Sequence, residues 1–293
     1  MGNDSSIRSC AIEEKNSKLA YSVLMSVYYK ENSEFLREAM DSIWKQTYST
    51  DDFVLVCDGP LTDELNAVIT EMQIKHVDDL NVVRLEMNEG LGNALNKGMQ
   101  YCKHELVARM DSDDISRLDR CEKQLRVFRE RPEISICSGS VEEFSETVNC
   151  IYSRRVPPEM QNEIIEFAKW RNPFNHPCVM YKKSAVEIAG GYKDFYLLED
   201  YYLWVRMLQK GLKGYNIQEP LLWMRAGEQM YKRRAGWKYV KSQNKLFLYM
   251  RNSGFISEMQ YLLSMTARVL STFMPNMVRG RMYKIFMRKG YTK

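Results

Sequence analysis

An α/β architecture, a mostly parallel sheet flanked by helices, is predicted for this 293-residue chain by two observations. Short apolar runs alternate with segments of 3.6-residue periodicity through the first half. Acidic residues stand directly behind two of the runs, at the strand ends where such sheets bind ligands. The first run is Tyr21–Val27 (YSVLMSV), and Leu36, Met40, Ile43 and Trp44 follow it with helical spacing. Phe53–Cys57 (FVLVC) comes next and ends at Asp58, then Val82–Leu85 (VVRL) and Glu105–Met110 (ELVARM), the latter ending at Asp111. Leu118, Cys121, Leu125 and Phe128 predict the helix that leads into Ile134–Cys137 (ISIC). Strand then helix, repeated, implies parallel pairing with crossover helices, so Asp58 and Asp111 face one crevice.

After about Val141 the pattern loosens into polar loops, Pro157–Pro158 and a helix around Asn162–Trp170. RNPFNHPCVMY, residues 171 to 181, has prolines at 173 and 177 that forbid a regular helix, so it reads as an ordered loop feeding a strand. Leu197–Gln209 resumes helical spacing, with Gly211 as its stop. Beyond Pro220 the chain turns basic and rich in Met and aromatics.

With 45% hydrophobic residues the composition is that of an ordinary globular protein. No stretch approaches the roughly 20 apolar residues of a membrane span. The polar start lacks the apolar core of a secretory signal, which points to the cytoplasm. Met1, Gly2 and Ser6 fit an N-myristoylation pattern, but a frayed, untethered terminus is the better reading. Seven cysteines (Cys10, Cys57, Cys102, Cys121, Cys137, Cys150 and Cys178) form no CxxC pair and read as reduced core thiols. With only His76, His104 and His176 beside them, a zinc site has little support. The net charge of +4 hides an asymmetry. Residues 231 to 293 carry 14 Lys or Arg against the single Glu258, and the rest carry 28 basic and 37 acidic residues.

Asp111, Asp113 and Asp114, in ARMDSDDIS, are more than a helix cap needs. Carboxylates crowded at a strand end repel one another and are best stabilised by a hard divalent cation. An EF-hand loop is excluded, because Ile115 and Ser116 stand where its Asp or Asn and its Gly belong. Magnesium or manganese completed by substrate phosphates fits better and suggests a nucleoside diphosphate ligand. NEGLGNALNKG, residues 88 to 98, stands where a phosphate-binding turn belongs. It departs from the dinucleotide fingerprint at Leu95, and two glycines easing a tight turn would explain it equally well.

YSVLMSVYYKE, VLVCDG, NEGLGNALNKG, ARMDSDDISRLDRCEKQ and LEDYYLWVR, in this order, resemble the inverting family 2 glycosyltransferases of the GT-A fold. Within that family they are most similar to bacterial enzymes that build capsule, exopolysaccharide or O-antigen repeat units. The resemblance covers a GT-A domain over 20–230, and composition adds a flexible stretch over residues 1–19 and a basic amphipathic helical region over 231–293. It implies a UDP-sugar donor bound by Asp58, Asn88, Gly90, Asn96, Arg109, Asp111 and Asp114. Asp58 would accept a hydrogen bond from the base, Asp111 would lie at the ribose and metal, and Asp114 would orient the sugar or support Asp113. Asp111 and Asp113 would hold Mn²⁺ or Mg²⁺. Two departures stand out: Leu118 and Asp119 precede Arg120 where the family has a proline, and Cys57-Asp58-Gly59 replaces Asp-Asp-Gly. Arg120 and Gln124 stay in place.

Glu199 and Asp200 match the family's Glu-Asp pair, so the resemblance makes Asp200 the general base, with Glu199 as neighbour or substitute. Both would also suit the positive end of the helix they begin. His176 resembles a residue of an acceptor-side loop, while Trp204 and Arg206 read as packing and helix-face residues. Lys232, Arg233, Arg234, Trp237, Lys238, Tyr239 and Lys241, then Arg279, Arg281, Tyr283, Lys284, Phe286, Arg288 and Lys289, mix cations with aromatics. Helices of that kind lie on anionic bilayers; the acidic body and the lack of a recognition motif argue against nucleic acid. The implied acceptor is lipid-linked or an oligosaccharide, reached from the inner face of the cytoplasmic membrane. A metal-dependent nucleotidyltransferase and a non-catalytic nucleotide-binding scaffold at the membrane are the competing readings.

Overall fold

The computed structural model describes residues 19–145, 147–226, 236–273 and 289–290. Strands β1 (Tyr21–Val27), β2 (Phe53–Cys57), β3 (Leu80–Arg84) and β4 (Leu106–Asp111) pair in parallel in the order β3-β2-β1-β4. Pairing of Val27 with Cys57 and of Ser26 with Asp111 brings the carboxyl ends of three strands to one edge. Helices α1 (Ser33–Trp44), α2 (Asp63–Lys75) and α3 (Leu91–Tyr101) connect these strands. Asn32 caps α1 by accepting the Glu34 and Phe35 amides at 2.9 and 3.2 Å. In α3, Gly98 lets the helix lie close on the sheet: a Cβ there would meet Val56 Cγ2 at 2.4 Å and Leu24 Cδ1 at 2.5 Å. Gly98→Ala should therefore cost about 1–3 kcal/mol despite alanine's better helix propensity. Thermal unfolding checks this, with a drop of roughly 3–10 °C expected.

Beyond β4 the sheet becomes mixed. After the two-residue strand β5 (Ile115–Ser116) and helix α4 (Arg120–Glu130) comes β6 (Ile134–Phe144). It runs seven residues past the predicted Cys137, and all of it is buried. Its second half, SGSVEEF, reads as a polar loop, yet Glu142 pairs with Arg117 at 2.5 Å and Glu143 with Arg155 at 2.6 Å. Burial of these acids is offset by partners distant in sequence. Strand β7 (Ile151–Arg155) and the short β8 (Met180–Lys182) lie antiparallel to β6, and β8 also pairs antiparallel with β4.

Helix α5 (Gln161–Ala168) and a 3₁₀ turn at His176–Cys178 lead to β8, as the sequence predicts. Helix α6 (Lys183–Ile188) and helix α7 (Glu199–Gln209) follow. Strand β9 (Lys213–Arg225) carries the sheet through Pro220 into the stretch where the chain turns basic. It runs parallel to β6 and antiparallel to β5, with a register break where Pro220, which has no amide proton, faces Ser140.

Helix α8 (Trp237–Asn252) is part of the body, for its Leu246, Phe247 and Met250 share a core with Phe195, Tyr201 and Val205. Helix α9 (Glu258–Phe273) follows, and a last short strand, β10 (Lys289–Gly290), pairs with β7. No helix among the described residues is long and apolar enough to cross a membrane. Five of the cysteines are buried, while Cys150 is exposed, contrary to its reading as a core thiol. The N-terminal stretch up to residue 18 with Cys10, the triplet Lys232 to Arg234, and the cluster from Arg279 to Arg288 lie outside the described residues.

Candidate functional site

Three groups of the sequence-predicted residues meet the carboxyl edge of the parallel strands. In the first, Asp111, Asp113 and Asp114 bring carboxylate oxygens within 4.8 Å of one another. Burial first, then the neighbouring Asp111, pushes the Asp113 carboxyl up to about 7. Burial and Asp113 push Asp114 well above the carboxylate range. Asp114 Oδ1 accepts the Arg225 amide at 2.7 Å, whereas its buried Oδ2 has no partner among the described residues. Ser112 donates to Glu31 at 2.7 Å, adding a fourth acid whose charge bears on Asp113. An all-oxygen donor set with an orphaned buried oxygen fits a hard divalent cation.

Two cations flank the acids. Arg109 is 1% exposed and donates to Asp111, while its Nε and Nη1 have no hydrogen-bond partner among the described residues. Arg225, at the end of β9, donates from Nε to the Asp113 carbonyl at 3.0 Å and from Nη2 to Glu38 at 2.6 Å. Its guanidinium packs on the rings of Phe35 and Phe144. Sequence reasoning misses Arg225, because nothing local marks a residue paired with Asp114 across 111 positions.

The second group is built on Asp58, whose carboxylate accepts the Glu89 amide at 2.7 Å and the Gly90 amide at 3.1 Å. Asn88 Nδ2 donates to the Asp58 carbonyl at 3.1 Å. Asp58 is 3% exposed, so its carboxylate ties down the 88–90 turn. Gly59 lets that turn approach, since a Cβ on it would lie 2.7 Å from the Asn88 amide nitrogen. Gly90 starts α3 at φ +85°, open to a glycine at little cost.

The third group is Glu199 and Asp200, at the first turn of α7. Leu197, just before them, has φ +58°, a strained conformation for a non-glycine residue. Burial, then Asp200, pushes Glu199 up to about 7, and the charges of Arg109 and Asp111 also reach it. Asp200 Oδ2 accepts Asn172 Nδ2 at 2.6 Å, and Oδ1 accepts the Tyr201 amide at 2.7 Å. Asn172, in the loop before His176, is a second residue that sequence reasoning misses.

Asn96 and His176 do not join the carboxylates; both meet Tyr192. Asn96 bonds the Tyr192 amide and carbonyl, each at 2.8 Å, and His176 Nε2 lies 3.0 Å from the Tyr192 hydroxyl. Burial and the charge of Arg109 hold His176 well below its usual value, so the ring is neutral. Trp204 packs among Phe174, His176, Tyr181 and Tyr192. Arg206 is no mere helix-face residue: it donates to the Ala189 carbonyl and, at 2.7 Å, to the Gly191 carbonyl. Arg120 donates to the Arg109 carbonyl at 2.7 Å and to Gln124 at 3.1 Å, fixing the strand two residues before Asp111.

Residues 22–188 match the sequence profile described as Glycosyl transferase family 2. The chain is 41% identical to an uncharacterized glycosyltransferase of Haemophilus influenzae over 92% of its own length and all of that protein. It is 38% identical to a UDP-Gal:alpha-D-GlcNAc-diphosphoundecaprenol beta-1,3-galactosyltransferase of Escherichia coli, over 92% of this chain and 97% of the other. The crystal structure of S. aureus TarS 1-349 in complex with UDP-GlcNAc superimposes with a TM-score of 0.63 at 17% identity, covering 92% of this chain and 74% of that one. That likeness establishes the GT-A fold.

Proposed function

The chain belongs to glycosyl transferase family 2, and from that premise we propose that it moves a hexose or N-acetylhexosamine from a UDP-sugar to a lipid-diphosphate-linked saccharide, with inversion, in surface polysaccharide assembly. The observation that carries this reading is the pairing, at one sheet edge, of a cation-fitting acid triad with a separate Glu199-Asp200 pair whose electrostatics it reaches. The nucleotide end of the donor is assigned to the loop that Asp58 organises, with Asn88 and Gly90. A divalent cation, Mn²⁺ or Mg²⁺, held by Asp111 and Asp113 would offset the charge of the departing diphosphate.

Asp200 then takes the proton of the acceptor hydroxyl as that oxygen bonds to the anomeric carbon. The bond from that carbon to UDP breaks on the opposite face. Asn172 holds Asp200 toward the acceptor, and neutral His176 lines that side without exchanging protons. Asn96 and Arg206 act through the loop around Tyr192 as positioning residues. The basic C-terminal region meets the anionic cytoplasmic face of the membrane, where such an acceptor resides.

The test is UDP release from a panel of UDP-sugars with a short lipid-diphosphate-sugar acceptor, with and without Mn²⁺. Release that needs both acceptor and metal supports transfer and names the donor; pyrophosphate in place of UDP would overturn it. For the triad, Arg225→Ala should weaken Mn²⁺ binding about tenfold in calorimetric titration, because the Asp113 carbonyl and Glu38 lose their shared donor. Lysine at this position should recover little, since one ammonium does not reproduce the planar fork.

A further inference from the structure

A surface helix normally turns its apolar stripe to the core. Helix α9 packs Tyr261 and Met265 against the core in this way, yet it carries a second set of large apolar residues on its opposite side. Tyr261 donates to Asn244 at 2.8 Å, Ser264 is 2% exposed, and Arg268 donates to the Trp170 carbonyl at 2.7 Å while packing on Phe247. On the outward side Met259 is 64% exposed, Leu262 50%, Leu263 55% and Leu270 57%. Four large apolar side chains standing in water along one helix point to a partner surface.

We propose that this face of α9 lies in the interface of an anionic bilayer and brings the acceptor side of the site to it. Charge decides for lipid over a second copy of the chain. Residues 231 to 293 hold 14 cations and one acid, Glu258, which pairs with Arg251 at 3.2 Å; α8 also carries Lys238, Lys241 and Lys245 and no acid, so two copies would repel where anionic lipid attracts. Trp237 and Trp170 are 59% and 38% exposed, as suits aromatics at a lipid–water boundary. The bond from Arg268 fixes α9 to Trp170, two residues before the Asn172 that holds Asp200. A helix seated in the headgroups through its leucines thus sets the Asp200 side of the crevice beside the bilayer. This rests on the lipid-linked acceptor assigned above and adds the surface through which it is reached.

The full-length protein is floated with vesicles of phosphatidylethanolamine containing about a third phosphatidylglycerol. The wild type should float, and should keep part of its binding in about 0.5 M salt, because buried leucine contact is not screened as charge contact is. The double variant Leu262→Glu/Leu263→Glu should lose binding at least about tenfold. Both positions are exposed, so its thermal unfolding should match the wild type, and its turnover on a short-chain, water-soluble acceptor should be retained. Flotation equal to the wild type would overturn the proposal. So would unchanged flotation with a shift from dimer to monomer in light scattering, which would give the face to a second copy. Absence of wild-type turnover on the soluble acceptor would strike the assigned function and leave the docking result standing.

Discussion

Asp200→Asn leaves UDP binding near wild type and lowers kcat by about 10²–10⁴-fold, the range that loss of a positioned general base produces. The amide has the carboxylate's shape but one acceptor oxygen, so it keeps the bond from either Asn172 or the Tyr201 amide, and the first turn of α7 holds its place through its backbone bonds. What it loses is affinity for the acceptor proton. The measurement is UDP release under saturating donor, with UDP affinity measured separately by calorimetry. Near-normal turnover would remove Asp200 from the mechanism and pass the role to Glu199. In the wild type Glu199, held up to about 7 by burial and by Asp200, would then impose a rate that rises with pH through neutrality as it loses its proton, and the variant, lacking the Asp200 charge, would shift that rise to lower pH.

Asp113→Asn should abolish metal-dependent UDP binding and, in the same protein, raise the stability of the metal-free fold at pH 7.5. The Asp113 carboxyl, ordinarily near 3.8, is pushed up to about 7 in the folded chain by burial and by Asp111. Between those values the folded state keeps a proton that the unfolded state has released, so stability falls as pH rises from about 4 to about 7. Asparagine removes that dependence. Partial exposure of Asp113 reduces the gain to on the order of 1–2 kcal/mol, or roughly 2–8 °C in melting temperature at pH 7.5. The gain should vanish below about pH 3, where both states hold the proton. A variant less stable than the wild type at pH 7.5 would contradict repulsion within the triad.

Much of this was legible in the sequence because its causes are local. Strands β1 and β2 have the predicted bounds, since strands covered on both faces read as near-continuous apolar runs. The acid triad was legible for a similar reason: four consecutive residues carry it. The second half of β6 was hidden, because its buried glutamates owe their tolerance to Arg117 and Arg155, which local pattern does not connect to them. Strand β9 was hidden by Pro220 and by a mixed polarity that makes sense only once β6 and β5 flank it. Asn172 and Arg225 escaped for the same cause: each acts on a site residue far off in the chain. For Asp58 the sequence located the residue, while the structure shows its carboxylate occupied by the turn it organises.

The bond from the Arg225 amide to Asp114 spans 111 residues, and that distance sets an order on synthesis. A nascent chain that has made β1 to β4 and the three residues after them already carries all three acids, but the strand that clamps them is still to be translated. At ribosomal speed the gap is roughly 6–22 s. Through that interval the half-made protein holds an acidic loop without its clasp, and a chain cut short before residue 225 never closes it. Completion of the proposed donor site is thereby deferred until nearly the whole domain has emerged.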